Sequence, residues 1–300
     1  MKIINGVFAA AVTPLTPAGK PETGAIADYM GFLAERGCHG ALLLGTTGEG
    51  PSFSRQEREL VWEAATRVWQ HYPEFVLLAG TGSPSLDETI ELNKLAFNLG
   101  YEAVVVLPPY YFRQVGDEGL FAWFSQVIEA SVPEGKQLLG YHIPVVSGVG
   151  FSFDLLAKLA GQFPENFGGL KDSSGNLDHS AALAQLLKGR SVLVGNDRLF
   201  GAALSAGASG CITALANLFS PQLRRLWDEF AAGQDINQVQ SQLDKFRAVL
   251  DELPPAPSFL KAVLAERHRF SRWPVRLPLE DFSAGQILDA KEALSQVEGQ

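Results

Sequence analysis

Eight short apolar runs recur along the chain, and this recurrence limits the possible folds more than any other feature of the sequence. The runs lie roughly 20–35 residues apart, which is the usual spacing of strand–helix units. The fourth run is apolar without alternation, as in a strand that is covered on both faces of a parallel sheet. The runs are Val7–Val12, Gly40–Leu44, Val76–Ala79, Ala103–Leu107, Gln137–Tyr141, Gly168–Lys171, Val192–Val194 and Gly210–Thr213.

The segments between the runs carry helix signals, such as Ser54 with Glu57, which have the spacing of a capping box. After about residue 217 the strand signals stop and helical patterns continue. The predicted fold is therefore an α/β (β/α)8 TIM barrel over residues 1–219, with a C-terminal helical extension over 220–300 that packs on the barrel. A doubly wound open sheet is the alternative, since a count of strands does not by itself close a barrel.

Composition excludes several classes of protein. Apolar residues make up 46% of the chain and charged residues 19%, which excludes a disordered chain. The formal net charge of −9 argues against nucleic acid and anionic membranes as partners. No apolar run reaches the roughly 18 residues of a membrane span. Cys38 and Cys211 lie far apart, outside any metal-ligand spacing, so we expect no metal site, no disulfide framework and a cytoplasmic location.

Lys171 is the residue best suited to covalent chemistry. It closes the sixth run, and barrel enzymes have their active sites where the strands end. Burial there disfavours an ammonium group and favours the neutral amine, which attacks a keto carbon to form an imine. The imine is an electron sink for making or breaking the adjacent carbon–carbon bond. The alternative is a structural lysine that pairs with Asp172 or Asp197 at the barrel rim.

Tyrosine and threonine side chains follow other runs at the same predicted edge. Tyr141 ends the fifth run, Tyr111 follows the fourth, and Thr46 and Thr47 follow the second. Either phenol could carry protons or simply pack in the wall, since a phenol with a pKa of about 10 is a poor base unless it is hydrogen-bonded. The two threonines could hold a carboxylate or form an ordinary turn. His142 should face the helices if Tyr141 faces the lumen.

Five motifs, taken in order along the chain, resemble those of the dihydrodipicolinate synthase/N-acetylneuraminate lyase family. This resemblance spans about residues 5–290. It implies a class I pyruvate-dependent aldolase that forms a covalent imine, uses no metal or other cofactor, and assembles as a homotetramer of two tight dimers. The motifs are Gly45–Thr46–Thr47–Gly48–Glu49, Pro109–Tyr110–Tyr111, Tyr141–His142–Ile143–Pro144, Gly169–Leu170–Lys171–Asp172 and Gly195–Asn196–Asp197.

The resemblance also implies a role for each residue by position. Lys171 resembles the Schiff-base lysine, and Tyr141 the phenol that moves the substrate proton. Thr47 resembles the hydroxyl that links Tyr141 to Tyr111, and Tyr111 the tyrosine that completes this relay across the tight dimer interface. The residues expected to contact the substrate are Thr46, Thr47, Gly195, Arg198 and Ile212.

Three departures from the family pattern bear on the substrate. Val146 stands where the synthase branch typically has an arginine, so a bidentate contact with the carboxylate of aspartate semialdehyde is missing. Arg198 stands where the sialic-acid lyase branch usually has an acidic residue, and Ala214 stands where it has serine. An arginine near the pocket mouth would suit a substrate with a distal anionic group.

The sequence thus predicts reversible cleavage of a 2-keto-3-deoxy or 4-hydroxy-2-keto acid to pyruvate and an aldehyde, both small molecules. Four alternatives stay open. They are a 4-hydroxy-tetrahydrodipicolinate synthase that condenses pyruvate with aspartate semialdehyde, a keto-deoxy sugar acid dehydratase, an N-acetylneuraminate lyase, and a non-catalytic barrel that senses a keto acid. The three enzymes would use the same imine, whereas the sensor would bind without turnover.

Overall fold

The computed structural model describes residues 2–298 and shows eight parallel strands closed into a barrel in sequence order. The closing pair is β1 with β8, where Phe8 is in register with Ile212. The predicted barrel is confirmed, and each strand end lies within two residues of its predicted position. The strands are β1 (Gly6–Ala10), β2 (Gly40–Leu43), β3 (Val76–Gly80), β4 (Ala103–Val106), β5 (Gln137–His142), β6 (Phe167–Asp172), β7 (Ser191–Val194) and β8 (Gly210–Thr213).

Helices fill the intervals between the strands and continue past the last strand. Ser54 begins the second helix with a complete capping box: its side chain accepts from the Glu57 N–H while the Glu57 side chain accepts from the Ser54 N–H. The helices are α1 (Thr23–Glu35), α2 (Arg55–Thr66), α3 (Leu86–Asn98), α4 (Asp117–Ser131), α5 (Pro144–Ser147), α6 (Phe153–Gln162), α7 (Leu177–Leu186), α8 (Phe200–Ser205), α9 (Ala216–Ala231), α10 (Asn237–Glu252), α11 (Ala256–His268) and α12 (Ala284–Glu298).

The boundary predicted between residues 219 and 220 falls inside α9. This helix begins at Ala216 and packs against β1, so it belongs to the ring of helices around the barrel. Phe219 has non-helical backbone angles (φ −119°, ψ 32°). The bend lies next to Pro221, because proline lacks the N–H that a continuous helix needs.

Two layers of apolar side chains form the core. The inner layer fills the barrel with the side chains of Phe8, Leu42, Leu78, Leu139, Leu193 and Ile212. The outer layer lies between the strands and the surrounding helices. Tyr141 belongs to the inner layer, so the carboxyl end of the packed lumen carries polar groups. Within residues 2–298, no helix is both long and apolar enough to cross a membrane.

A buried ion pair joins the C-terminal helices to the turn after β2. The Lys261 ammonium on α11 donates to Glu49 Oε1 at 2.6 Å and to the Pro274 carbonyl at 2.7 Å. Glu49 Oε2 accepts from the backbone N–H of Arg276 at 2.6 Å. Glu49 itself has a left-handed backbone (φ 58°), and its carboxylate therefore fixes a turn that local propensity alone would disfavour.

Candidate active site

A cavity of about 310 Å³ opens at the carboxyl ends of the strands. This volume is at the lower end of the range for small-molecule sites, roughly 300–1,000 Å³. The barrel contributes to its lining Ala10, Thr46, Thr47, Tyr141, Lys171, Gly195 and Ile212. Six of the residues predicted to form the site therefore share one cavity.

Lys171 and Tyr141 are neighbours in the barrel wall. They are in register on β6 and β5, both are buried, and both line the cavity. The Lys171 Nζ lies 4.1 Å from the centroid of the Tyr141 ring. Residues in register on adjacent strands point to the same face of a sheet. The amine and the phenol therefore face the same cavity.

The two carboxylates that could have paired with Lys171 are engaged elsewhere. Asp172 Oδ2 accepts from the Ser180 hydroxyl at 2.6 Å and is 3.2 Å from His179 Nδ1. Asp197 Oδ2 accepts from Arg247 Nη1 at 3.0 Å. The interpretation of Lys171 as a structural half of an ion pair with either aspartate is therefore wrong.

His142 faces the helices, as the alternation along β5 predicts. Its Nδ1 accepts from the Phe151 N–H at 3.0 Å, and its ring stacks on His179 with 4.6 Å between centroids. Burial and the neighbouring His179 lower the pKa of His142, which favours the neutral ring, and the bond that Nδ1 accepts places the proton of that ring on Nε2. His142, Asp172 and His179 hold ligand atoms within 4.8 Å of one another, but this tautomer leaves His142 no free lone pair for a metal.

Thr46, and not Thr47, contacts the phenol. The Thr46 Oγ1 lies 3.3 Å from the Tyr141 Oη, at hydrogen-bond distance. Thr47 lines the cavity but makes no hydrogen bond to Tyr141 in the described part of the chain. The expected link through Thr47 is therefore corrected to Thr46, because the tight turn before Glu49 presents the first of the two hydroxyls to β5.

The Tyr141 phenol is more acidic than an ordinary tyrosine. Burial by itself raises the pKa of Tyr141, but the electrostatic effect of Lys171 opposes this, as do hydrogen bonds with Thr46, Lys171 and Ser173. The net effect is a pKa of Tyr141 below its usual value. A phenol of this kind accepts and returns a proton more readily near neutral pH than a solvated one.

Gly195 and Ile212 also line the cavity. The Gly195 N–H donates to the Asp172 carbonyl at 2.7 Å. A Cβ at Gly195 would collide with the Ser173 hydroxyl, so only glycine allows this close approach. Ile212 on β8 is fully buried and presents an apolar surface to the cavity.

Two predicted site residues lie outside the cavity of their own chain. Tyr111 is 76% exposed and packs edge-on against Phe112, with 5.3 Å between ring centroids. Arg198 is half exposed and lies 3.4 Å from Asp251 Oδ2. The expected place of Arg198 in the substrate pocket is corrected. Arg198 lies on a short turn after β7, and its side chain extends to Asp251 on α10.

Sequence reasoning missed the part of the cavity that comes from the C-terminal helices. Arg247, Leu250 and Asp251 on α10 all line it. Arg247 and Asp251 are four residues apart, the spacing of a helical ion pair, which was the available signal. The sequence predicted that this helix packs on the barrel, but it did not predict that the pair lies at the cavity.

A family model described as the dihydrodipicolinate synthetase family matches residues 3–297. The chain belongs to this family. It is 35% identical over 294 residues to an uncharacterized DapA-like lyase of Chloroflexus aurantiacus, covering 98% of this chain and 97% of that one. It is 32% identical over 285 residues to a 4-hydroxy-tetrahydrodipicolinate synthase of Cyanothece sp., covering 91% of each chain. The family resemblance seen in the motifs is thereby confirmed.

Solved structures agree with the family in fold. The 4-hydroxy-tetrahydrodipicolinate synthase of the methanotroph Methylacidiphilum fumariolicum SolV superposes with a TM-score of 0.89 at 28% identity, covering 99% of this chain and 96% of that chain. Relatives across the family are thus named lyases and synthases, and this chain is an enzyme of the same family.

Proposed function

We propose that this enzyme is a Schiff-base aldolase that reversibly cleaves a 2-keto-3-deoxy or 4-hydroxy-2-keto acid into pyruvate and an aldehyde. The observation that carries the proposal is the buried Lys171 amine, 4.1 Å from the Tyr141 ring centroid in the strand-end cavity. Family membership supports the same class of reaction.

In this mechanism the unprotonated form of the Lys171 amine attacks C2 of the keto acid. The resulting carbinolamine oxygen takes up a proton from solvent, and loss of water leaves an iminium. The turn at Thr46 and Thr47 binds the C1 carboxylate. Tyr141 accepts the proton of the C4 hydroxyl, and the C3–C4 bond breaks. The electron pair of that bond moves into the iminium, which gives an enamine and a free aldehyde. Protonation of C3 and hydrolysis of the imine then release pyruvate. The iminium supplies the electron sink, so we propose that no metal or other cofactor is required.

Trapping of the imine tests the proposal. Borohydride reduction in the presence of pyruvate is expected to add one reduced pyruvyl group to Lys171, found by peptide mass spectrometry. Enzyme treated with EDTA is expected to give the same adduct. An unmodified Lys171, or an adduct on another lysine, would overturn the mechanism.

The synthase reaction is the second candidate, because several relatives are named 4-hydroxy-tetrahydrodipicolinate synthase. Val146, which is exposed on α5, offers no charge for the second carboxylate of aspartate semialdehyde. Product analysis separates the reactions. Consumption of pyruvate with aspartate semialdehyde supports the synthase, and loss of water without release of pyruvate supports a dehydratase.

We further propose a homotetramer of two tight dimers, located in the cytoplasm. The exposed Tyr111 and Phe112 rings, together with Val145, which is 92% exposed, present apolar surface that a second copy would cover. Tyr111 would then reach the partner's Tyr141 and Thr46. Cys38 and Cys211 are buried free thiols, as suits a reducing compartment. Analytical ultracentrifugation tests the assembly, and a monomer would contradict the proposed tetramer. Cell fractionation tests the location, and a secreted protein would contradict the cytoplasm.

The lowered pKa of Tyr141 has a testable consequence for the pH profile. In cleavage the unprotonated phenol is active, so kcat should rise with pH through the Tyr141 pKa. Thr46→Val removes a hydrogen bond that lowers this pKa, and we expect the rise in kcat to move to higher pH. Thr47→Val is the matched control: it should leave the pH of the rise unchanged, and equal shifts in both threonine variants would contradict the relay.

Tyr141→Phe is expected to lower kcat by about 10²–10⁴-fold.

A further inference from the structure

Part of the cavity wall comes from α10 and not from the barrel. Arg247 and Asp251 stand one helical turn apart on α10, and both line the cavity. Arg247 Nε donates to Asp251 Oδ1 at 2.8 Å, and Arg247 Nη1 donates to Asp197 Oδ2 at 3.0 Å. Arg198 Nη1 lies 3.4 Å from the other Asp251 oxygen. These four side chains form one polar group beside the cavity.

The group carries two guanidinium cations and two carboxylates, so its formal charge is zero. Asp197 is fully buried beneath Arg247, and Arg198 does not line the cavity. The faces left for a bound molecule are Arg247, 21% exposed, and Asp251, 41% exposed. Among residues 2–298, the Nη2 of Arg247 makes no hydrogen bond. The wall therefore offers a free donor next to an accessible acceptor.

We propose that Arg247 and Asp251 select an uncharged, hydroxylated tail on the aldehyde half of the substrate. This inference rests on the proposed aldolase function. With the keto-acid carboxylate at the Thr46–Thr47 turn and C2 on Lys171, the rest of the chain extends toward α10. A hydroxyl can donate to the Asp251 carboxylate and accept from Arg247 at the same time.

A terminal phosphate at the same wall would be attracted by one side chain and repelled by the other. It gains from Arg247, but it also faces the Asp251 carboxylate across the same ion pair, and like charges at this distance repel. A phosphate also has no hydrogen to donate at neutral pH when it is doubly ionised. The expectation of a distal anionic group, made from Arg198, is thereby replaced by a neutral polyol tail.

Asp251→Asn is the sharpest test, because it removes one charge and keeps the size of the side chain. For an unphosphorylated 2-keto-3-deoxy sugar acid, kcat/KM is expected to fall by about 10- to 100-fold, as for loss of a hydrogen bond to a charged group. For the same acid with a terminal phosphate, kcat/KM is expected to rise. The two substrates should therefore respond in opposite directions.

Asp228→Asn provides a matched control on α9. Asp228 accepts from Arg224 Nε at 2.9 Å in the same i, i+4 arrangement, and neither residue lines the cavity. This variant should change neither substrate's kcat/KM. Arg247→Lys keeps a cation for Asp197 and is a second variant, which is expected to weaken the hydroxylated substrate without improving the phosphorylated one.

Two results would overturn the subsite. One is a wild-type enzyme that prefers the phosphorylated acid, and the other is an Asp251→Asn enzyme that changes both substrates by the same factor. Borohydride trapping of pyruvate on the wild-type enzyme reports the aldolase mechanism separately. A normal adduct combined with either result removes the subsite alone, whereas a missing adduct removes the proposed function.

Discussion

Lys171→Ala is expected to lower the rate of aldol cleavage by at least about 10⁴-fold, because it removes the proposed nucleophile and only substrate binding remains. The borohydride adduct with pyruvate should disappear with it. Steady-state release of pyruvate, followed with a coupled dehydrogenase, measures the first effect, and intact mass spectrometry measures the second.

Lys158→Ala is the control for this substitution. Lys158 lies on α6 at the surface, where it pairs with the exposed Glu118, so the variant should keep full activity and the adduct. Circular dichroism of the Lys171→Ala enzyme should show an unchanged fold, since the truncated side chain is buried without an ion-pair partner among Asp172 and Asp197. An active or still labelled Lys171→Ala enzyme would contradict the imine.

Lys261→Met is expected to cause a large fall in the free energy of unfolding. It leaves the Glu49 carboxylate buried without its cation, which typically costs about 3–5 kcal/mol in the free energy of unfolding. Both side chains are almost fully buried and their atoms are 2.6 Å apart. Urea denaturation at one fixed protein concentration measures the change, because subunit assembly also adds to apparent stability.

Lys291→Met is the matched control for the buried pair. Lys291 on α12 lies 3.0 Å from Glu266 on α11, but both side chains are exposed, and such pairs contribute about 0–1 kcal/mol. Glu49→Gln combined with Lys261→Met should recover part of the stability, because no buried charge then remains unpaired. Equal losses for Lys261→Met and Lys291→Met would show that burial does not set the cost.

Local sequence patterns predicted the barrel and the chemical centre of the site. The eight apolar runs predicted the strands, because short apolar segments are typical of parallel strands that are buried on both faces. Because parallel strands end at one edge of a barrel, Tyr141 and Lys171 were expected at the same edge. The alternation of side chains placed Tyr141 and His142 on opposite faces, and the resemblance of the motifs supplied the roles. Neither rule depends on contacts between distant parts of the chain.

The errors fall where the outcome depends on long-range packing. The choice between Thr46 and Thr47 is decided by a turn whose left-handed Glu49 is fixed by Lys261, more than 200 residues away. The assignment of Arg198 failed because α10 supplies Asp251 as its partner. Helical periodicity predicted that α10 exists, but it contains no information on which strand ends the helix covers.

The position of α10 separates two properties that most barrel enzymes combine in one set of loops. The groups proposed to break the bond lie on strands in the first three quarters of the chain, while a later helix lines the same cavity. Substitutions on that helix can alter which aldehydes are accepted while the reacting amine and phenol stay in place. The enzyme can therefore acquire new substrates by changes in a segment that has no part in making or breaking the bond.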